Sequence, residues 1–573
     1  MKENKTIIKQ EPNLTQNAIG VLEKRYLLRD KTGRICETPA ELFKRVASVV
    51  AGAEKYDRDI WLERFYNLMV SKRFMPNSPT LMNAGKQRGQ LSACFVLPVE
   101  DSLESIFEAL KFTASIHQSG GGTGFSFSKL RPRNSIVGST QGVASGPVSF
   151  IKIFDITTET IKQGGARRGA NMAVLRVDHP DIIEFIDSKR DFHSITNFNI
   201  SVGVTNEFMR AVMLNSKFVL RNPTTGKKSH SIKAGELFSK ITQAAWECGD
   251  PGLIFLDRIN IFNPTPNEGV IESTNPCGEQ PLLSYESCNL GSLNVLKYLN
   301  GNDINWEDFR SDIRIATRFL DNVIDVNKYP IEACRKITLR NRKIGLGIMG
   351  FADLLLAMSI PYDSQEARFF GQKIMSFLDR EAKRYSTEMA IQKGVFPNWH
   401  RSIWKKLGYP PMRNSTVSTV APTGTVSIIA GVTGGIEPIF SARFYRNILG
   451  GEKLIEIHPA IKNVLRASSI KAKEASRLSN IEISNIIGAA WEPALKISID
   501  GHVMMQAAFQ RHTDSAVSKT INLPESTPVS EVQRAYMLAY QEGCKGITVY
   551  RDRSRADQTL EQIPEEKGVC TSC

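Results

Sequence analysis

The stretch STNPCGEQPLLSYESCNLG, residues 273–291, decides how this chain is interpreted. Asn275, Cys277 and Glu279 stand at positions i, i+2 and i+4, so an extended segment would present an amide, a thiol and a carboxylate on one face. The proline and glycine between them suit a loop that holds a thiol at a fixed point. A lone cysteine is more often a small buried hydrophobe. The flanking amide and carboxylate favour a reactive site instead.

The length and composition describe a globular protein. At 573 residues the chain has the length of roughly three or four average domains, although large barrels break that rule. Its 41% apolar residues, 23% charged residues and lack of a long apolar run predict a soluble protein without membrane contact. The N-terminal residues carry no apolar core of a signal peptide, which predicts a cytoplasmic location. Nine scattered cysteines predict reduced thiols rather than a disulfide framework.

The charge balance is basic. There are 73 Lys and Arg residues against 59 Asp and Glu residues, a net charge of +14. Such a balance suits an anionic partner. The basic residues are dispersed, without a zinc-finger or RNA-binding motif, so a polyphosphate substrate explains them as well as nucleic acid does. A diffusely basic surface is an equally good explanation.

Helix signals dominate the first part of the chain. Thr38 and Glu41 form a capping-box pattern with a proline at the first helical position, which predicts a helix start. Residues 56–73 read as a second amphipathic helix, so the first 75 residues are expected to be helical. A third helix is expected to begin at residues 101–104. Its predicted inward stripe consists of Leu103, Ile106, Phe107 and Leu110.

Three glycine-containing motifs have more than one interpretation. The run GGGTG at residues 120–124 permits close ligand approach and equally suits the end of the preceding helix. The sequence GLGIMG at residues 345–350 matches a dinucleotide fingerprint, but basic residues precede it, so close backbone packing is the better explanation. The turn in VAPTGTVS, residues 420–427, is either a phosphate cradle that opens a helix or an ordinary capped turn.

Two further segments carry chemically suggestive pairs. Arg167 and Arg168 lie between glycines and suit either phosphate contacts or a solvated loop. Near the end of the chain, Cys570 and Cys573 have the spacing of a redox dithiol or of half a zinc site. With no second CxxC and few histidines, we favour the dithiol and predict no metal site. The polar residues before this pair suggest a flexible tail.

Seven motifs in order resemble ribonucleotide reductase. They are FMPNSPTLMNAG, LSACF, STNPCGE, ESCNLGS, LGIMGFADLL, APTGT and GITVYRD. The resemblance covers about residues 20–555 and is to the adenosylcobalamin-dependent class II enzymes. It implies an α/β fold: a ten-stranded barrel of two antiparallel-related halves with a central finger loop, preceded by a small helical region. The implied domains are a helical region at 1–75, the catalytic barrel with its specificity-site loops at 76–550, and a flexible tail with the redox CxxC at 551–573.

The resemblance also implies an activity and a catalytic set. Such an enzyme reduces ribonucleotides to 2′-deoxyribonucleotides for DNA synthesis, and the PTGT-type turn resembles that of the diphosphate enzymes. Cys277 would carry a thiyl radical that removes the 3′-hydrogen of the substrate. Glu279 would accept the proton of the 3′-hydroxyl group, and Asn275 would hold the sugar. Cys94 and Cys288 would be the reducing pair, which ends as a disulfide.

Binding residues are implied in the same way. The implied substrate contacts are Asn275, Glu279, Ser78, Ala93, Gly122, Pro422, Thr423, Gly424 and Thr425. A deoxynucleotide or ATP effector would bind at Asp101, Ser102, Leu103 and Arg131, and the loop that relays to the substrate would contain Gln163, Arg167 and Arg168. Cys570 and Cys573 would transfer electrons from a thioredoxin-like reductant. A homodimer is one expected assembly, and no direct nucleic-acid binding is expected.

The assignment to class II depends on features of the other two classes that this sequence does not show. A class I large subunit would carry an N-terminal ATP-binding cone and adjacent tyrosines near its C-terminus, whereas Tyr550 stands alone before Arg551. The sequence RDRSRADQTL lacks a class III glycyl-radical motif. These differences favour adenosylcobalamin as cofactor. The alternatives are a class I-type large subunit that needs a radical-generating partner, and a non-catalytic nucleotide- or nucleic-acid-binding protein on the same scaffold.

Overall fold

The computed structural model describes residues 11–136, 142–161, 169–191, 193–447, 453–468, 470, 474, 478–554 and 560–562. The strands, in chain order, are β1 (Phe74–Pro76), β2 (Cys94–Leu97), β3 (Gly122–Ser126), β4 (Asn171–Arg176), β5 (Phe198–Val204), β6 (Lys217–Arg221), β7 (Lys228–Lys233), β8 (Gly252–Phe255), β9 (Ser273–Thr274), β10 (Pro281–Leu282), β11 (Ser287–Asn294), β12 (Leu299–Asn300), β13 (Asp303–Ile304), β14 (Ile344–Met349), β15 (Arg443–Asn447), β16 (Lys453–Ile457), β17 (Thr520–Leu523), β18 (Gly546–Arg551) and β19 (Leu560–Gln562).

The α-helices, in chain order, are α1 (Gln16–Arg25), α2 (Pro39–Ala51), α3 (Arg58–Val70), α4 (Ser78–Asn83), α5 (Leu103–Gln118), α6 (Pro147–Ile161), α7 (Ile182–Asp187), α8 (Asn206–Met213), α9 (Ala234–Cys248), α10 (Leu256–Ile261), α11 (Trp306–Val326), α12 (Glu332–Asn341), α13 (Phe351–Ala357), α14 (Gln365–Lys393), α15 (Ile403–Lys406), α16 (Gly424–Ala430), α17 (Pro459–Ala467), α18 (Asn480–Ile487), α19 (Ile499–Gln510) and α20 (Val529–Gln541). Within the described ranges, no helix combines the length and the apolar character needed to cross a membrane.

Helices α2 and α3 pack on each other, and α1 packs on α16 of the second part of the chain. The predicted capping box begins α2, where the Thr38 hydroxyl accepts from the Glu41 N–H and the Glu41 carboxylate accepts from the Thr38 N–H. The second predicted helix corresponds to α3. Its Phe65 ring meets Phe319 of α11 edge to face, with ring centroids 5.2 Å apart. The helical region therefore shares an apolar core with the strands and helices that follow.

The main sheet has two halves of five extended segments each. In the first half, β2, β3, β4, β5 and β8 are parallel neighbours. In the second half, β11 is parallel to β14 and β17 to β18, with parallel bridges at Ser418 and Val420 joining β14 to the chain before β17. The halves meet antiparallel at both junctions, β2 with β11 and β8 with β18. This closure confirms the predicted two-halved α/β barrel.

Glycines at two barrel strands make room for other backbone segments. A Cβ atom on Gly124 in β3 would lie 1.7 Å from the Thr274 carbonyl oxygen, and one on Gly347 in β14 would lie 2.2 Å from the Thr419 carbonyl oxygen. The GLGIMG sequence thus lies mainly in a strand, which confirms the packing interpretation. In the GGGTG run, Gly120 has a φ of +81° just after α5, as the helix-end interpretation predicts. Gly122 and Gly124 belong to β3, and close approach of a ligand stays a prediction.

Helix α5 differs in part from its predicted amphipathic pattern. It begins where expected, and the Ser102 hydroxyl accepts from the Ser105 N–H at 3.2 Å. Leu103 and Phe107 are 60% and 49% exposed, so their assignment to an inward stripe is wrong. The buried face of α5 is rotated about the helix axis relative to the predicted stripe. The buried residues of α5 are Ile106, Ala109, Thr113, Ile116 and His117.

The variant Gly124→Ala should displace the segment that packs against β3. Its Cβ atom would overlap the Thr274 carbonyl oxygen, and overpacking of an interior costs about 1–3 kcal/mol. We expect a lower urea midpoint of unfolding and loss of any activity that depends on residues 275–280. Gly20→Ala is the control, because nothing lies within 4 Å of a Cβ atom there and alanine favours a helix. Equal stability and activity of the two variants would contradict the packing argument.

Candidate active site

A short hairpin carries the thiol that the sequence singles out. Strands β9 and β10 pair antiparallel, and the chain turns between them. Gly278 has a φ of +79°, and Asn275 Oδ1 accepts from the Gln280 N–H at 3.0 Å. The segment is therefore a turn, and the extended conformation that the spacing suggested is wrong, because the left-handed glycine reverses the chain. Cys277 is exposed at the tip, while Asn275 and Glu279 are buried.

Hydrogen bonds from both halves of the barrel hold the hairpin tip. Asn199 on β5 donates through Nδ2 to the Pro276 carbonyl oxygen at 2.8 Å. From the second half, the Ala516 N–H donates to the Glu279 carbonyl oxygen at 2.9 Å. The Thr419 hydroxyl donates to the same oxygen at 3.0 Å. The hairpin thus occupies the position of a finger loop inside the barrel.

Cys94 and Cys288 stand directly opposite each other where the two halves of the barrel meet. They are paired residues of the antiparallel strands β2 and β11. Such pairs have Cα atoms about 4.5–5.5 Å apart, within the range of about 4.4–6.8 Å that disulfides occupy. Asn275 Nδ2 donates to Cys94 Sγ at 3.1 Å, which links the pair to the hairpin tip. The geometry therefore permits a reversible disulfide beside the tip.

Cys288 lies in a dry environment. Its side chain is fully buried, and this burial raises its pKa above the ordinary value of 9.0, with the carboxylates of Glu286 and Glu279 acting in the same direction and Lys343 opposing them. Lys343 and Glu286 form a buried ion pair at 2.6 Å, so their charges largely offset each other. The Cys288 thiol therefore keeps its proton at neutral pH.

A cavity of about 280 Å³ lies beside the tip. Its walls include Asn275, Cys277, Glu279 and Cys94. The other residues predicted to contact substrate also line it, namely Ser78, Ala93, Gly122, Pro422, Thr423, Gly424 and Thr425. The Thr423 hydroxyl accepts from the Gly435 N–H at 2.8 Å, which fixes the turn that opens α16. The fold thus gathers the predicted contacts around one space, and their individual roles remain predictions.

Two family models match this chain. The model "Ribonucleotide reductase, barrel domain" matches residues 92–550, and "Ribonucleotide reductase, all-alpha domain" matches residues 12–89. The chain belongs to the ribonucleotide reductase family. The vitamin B12-dependent ribonucleoside-diphosphate reductase of Thermoplasma acidophilum is 48% identical to it, over 98% of this chain and 83% of the relative. The protein of the same name from Mycobacterium tuberculosis is 46% identical, over 96% and 81%.

Two of the residues predicted to bind an effector, Asp101 and Arg131, contact each other at the start of α5. Arg131 donates to both carboxylate oxygens of Asp101, through Nε at 2.8 Å and through its backbone N–H at 3.1 Å. Ser102 caps the helix beside this pair. Gln163, Arg167 and Arg168 lie outside the described residues, as do Cys570 and Cys573. Their proposed roles in specificity and electron transfer stay predictions.

A second cavity, of about 440 Å³, also reaches Cys277. It shares Pro276, Cys277 and Pro422 with the first cavity, so the hairpin tip separates the two spaces. Its lining mixes polar side chains, such as Asn199, with apolar ones, such as Val549. Within the described ranges, no cluster of three or more His, Cys, Asp or Glu side chains is placed to hold a metal ion.

Lys545, which the sequence motifs did not single out, lines this second cavity. Its ammonium group donates to the carbonyl oxygens of Asp514 and Ser515, both at 2.6 Å. Burial lowers its pKa to about 7. A lysine just before a strand usually has its ammonium group in solvent. Here the carbonyl oxygens that accept from the ammonium group lie in a segment distant in the sequence. No local signal in the sequence therefore points to it.

The thiols should differ in reactivity towards iodoacetamide. Alkylation requires the thiolate, so at pH 8 the exposed Cys277 and Cys36 should be labelled well before buried Cys288. Because the folded-state pKa of Cys288 is raised, its favourable contribution to stability is complete below pH 9 and is lost as the pH rises towards the folded pKa. Peptide mass spectrometry measures the order of labelling, with urea-unfolded protein as the control. Early labelling of native Cys288 would contradict its burial.

Proposed function

We propose that this chain reduces ribonucleoside diphosphates to 2′-deoxyribonucleotides with adenosylcobalamin as cofactor, and so supplies precursors for DNA synthesis. One observation carries the proposal: Cys277 and Cys94 line one cavity, and Cys94 stands opposite Cys288. The names of relatives at 46–48% identity support the diphosphate substrate and the vitamin B12 dependence. We also propose a cytoplasmic location, because the chemistry needs thiols that a reducing compartment maintains.

The side chains around the cavity supply a balanced reaction. A thiyl radical at Cys277 takes the hydrogen from C3′ and returns it at the end of the cycle. Glu279 accepts the proton of the 3′-hydroxyl group and returns it when that group re-forms at the end of the cycle. The 2′-hydroxyl group leaves as water. Cys94 and Cys288 supply two electrons and two hydrogens, one to the water and one to C2′, and become a disulfide.

We place the substrate with its sugar at Asn275 and Glu279 and its diphosphate at the turn of residues 422–425. That turn offers hydroxyl groups and backbone N–H groups, which are the donors that phosphate oxygens accept from. Ser78, Ala93 and Gly122 complete the walls. Gly122 suits this position because a Cβ atom there would lie 2.9 Å from the Pro276 ring, so a larger residue would press on the hairpin.

We place the nucleoside portion of adenosylcobalamin in the second cavity, where Cys277 is accessible from another direction. When bound, the cofactor supplies the radical that the Cys277 thiol carries. The residues present fit a nucleoside, since Asn199 and Asn522 offer amide groups to its polar edges, while Ile254 and Val549 offer apolar contact to a ring. The hairpin tip keeps the two ligands apart while Cys277 reaches both.

The remaining assignments extend the same proposal. We propose a helical region at residues 1–75, a catalytic barrel at 76–550 and a tail at 551–573. In the tail, Cys570 and Cys573 would reduce the buried pair by thiol–disulfide exchange and then receive electrons from a thioredoxin-like protein. Steady turnover with thioredoxin in a Cys570→Ser/Cys573→Ser variant would refute this role. The chain would function as a homodimer, which sedimentation equilibrium tests.

The purified chain should form deoxynucleotide from a ribonucleoside diphosphate when adenosylcobalamin and dithiothreitol are added. Cys277→Ser should abolish turnover and keep nucleotide binding, because the hydroxyl O–H bond is much stronger than the thiol S–H bond. Cys36→Ser is the matched control, since Cys36 is exposed and belongs to neither cavity. Product formation by Cys277→Ser would refute the radical assignment. A requirement for an iron or manganese partner subunit would instead favour class I.

Effector control should depend on the contact between Asp101 and Arg131. A nucleotide bound there changes substrate choice only if it favours one arrangement of the site over another. We expect dTTP or dATP to change the ratio of products from competing substrates, and Asp101→Asn to remove that change. Glu100→Gln is the control, because Glu100 is an exposed neighbour paired with Lys129 at 2.7 Å. Identical product ratios with and without saturating effector would contradict the assignment.

A further inference from the structure

We propose that Arg25, the last residue of α1, binds the diphosphate of the substrate. The helical N-terminal region would then contribute a phosphate-binding cation to the site in the barrel. This inference rests on the function proposed above and names an additional residue at the same site.

The end of α1 contacts the cavity wall at two points. Arg25 Nη1 donates to Thr425 Oγ1 at 3.4 Å, and the hydroxyl groups of Tyr26 and Ser78 share a hydrogen bond at 2.8 Å. Thr425 and Ser78 both line the cavity beside the hairpin tip. Tyr26 is only 1% exposed, so it fixes the end of the helix against that wall. The Arg25 guanidinium group is thereby held next to the turn that we assign to the diphosphate.

Within its described lining, the cavity lacks a positively charged side chain that could pair with a diphosphate. Among the described residues that line it, Glu279 is the acidic residue and none is Lys or Arg. A diphosphate adds several negative charges, and charges removed from water are costly unless they are paired. The turn at residues 422–425 supplies neutral donors, which leave the net charge unbalanced. Arg25 supplies a positive charge from the neighbouring helix.

Arg25 is also available for a ligand. It is half-buried, and in the described part of the chain no carboxylate lies within ion-pair distance of it. Arg45 differs, because its guanidinium group is paired with Glu37 at 2.6 Å. A guanidinium group presents five N–H donors in a planar fork that matches phosphate oxygens. The bond to Thr425 leaves donors for two phosphate oxygens at once.

Steady-state kinetics test this role. Arg25→Gln should raise KM for ADP about ten- to a hundredfold, the range expected for the loss of a hydrogen bond to a charged group. Its kcat should stay within about twofold, because Arg25 does not touch the reacting atoms. Arg25→Lys should recover part of the affinity. Lys24→Gln is the matched control, since it removes the same charge from an exposed position in the same helical turn and should leave KM unchanged.

Equilibrium binding separates phosphate recognition from a structural role of α1. With Cys277→Ser as the parent, so that no turnover occurs, Arg25→Gln should weaken ADP at least about tenfold and leave adenosine affinity unchanged. Equal ADP affinity with and without Arg25→Gln would overturn the inference, and so would an equal loss for ADP and adenosine. If the wild-type chain makes no deoxynucleotide, the proposed function fails, whereas the contrast between ADP and adenosine still decides the role of Arg25.

Discussion

The rest of the site depends on the backbone hydrogen bonds that hold the hairpin tip inside the barrel. The acceptors of these bonds are the backbone carbonyl oxygens of Pro276 and Glu279. The bonds therefore do not occupy the side chains of Cys277 and Glu279, whose directions follow from the conformation of the turn. The hairpin can pass this close to the strands because Gly124 has no side chain where the Thr274 carbonyl lies. A thiol placed in this way has a fixed position relative to both cavities. Under the proposed function, that position lets one sulfur atom contact both the substrate and the cofactor.

The electrostatics around Cys288 favour hydrogen transfer over nucleophilic attack by this thiol. A nucleophilic cysteine needs a lowered pKa, usually from a nearby unpaired cation. Here the pKa of Cys288 is raised, and the nearest cation, Lys343, is paired with Glu286. The buried Lys545 holds the carbonyl oxygens of Asp514 and Ser515, immediately before the residue that donates to the Glu279 carbonyl. The buried lysines therefore stabilise the frame of the site, and the Cys288 thiol stays protonated.

Short sequence motifs predicted structure within a few residues of the motif. They did not predict contacts between segments that are distant in the sequence. The capping box at Thr38 uses residues three positions apart, so the sequence revealed the helix start. The opposition of Cys94 and Cys288 depends on an antiparallel junction between distant strands, and only the family resemblance implied it. The prediction that Asn275, Cys277 and Glu279 share one face was wrong, because the left-handed φ of Gly278 turns the chain between them. The net charge of +14 suggested an anionic ligand, yet no Lys or Arg lines the described wall of the substrate cavity.

A buried polar network limits how α5 can influence that cavity. His117 on α5 contacts the Thr123 hydroxyl through Nε2 at 3.0 Å, Thr123 donates to Asn171 Oδ1 at 2.6 Å, and Asn171 donates to Thr158 at 2.9 Å. Burial lowers the pKa of His117 to about 4, so the ring is neutral at physiological pH. Thr123 adjoins Gly122 in the cavity wall, and a shift of α5 would leave these buried groups unpaired at a cost of about 1–3 kcal/mol each. The effector nucleotide that we propose near Asp101 would therefore act on the substrate at least cost if α5 stays in place.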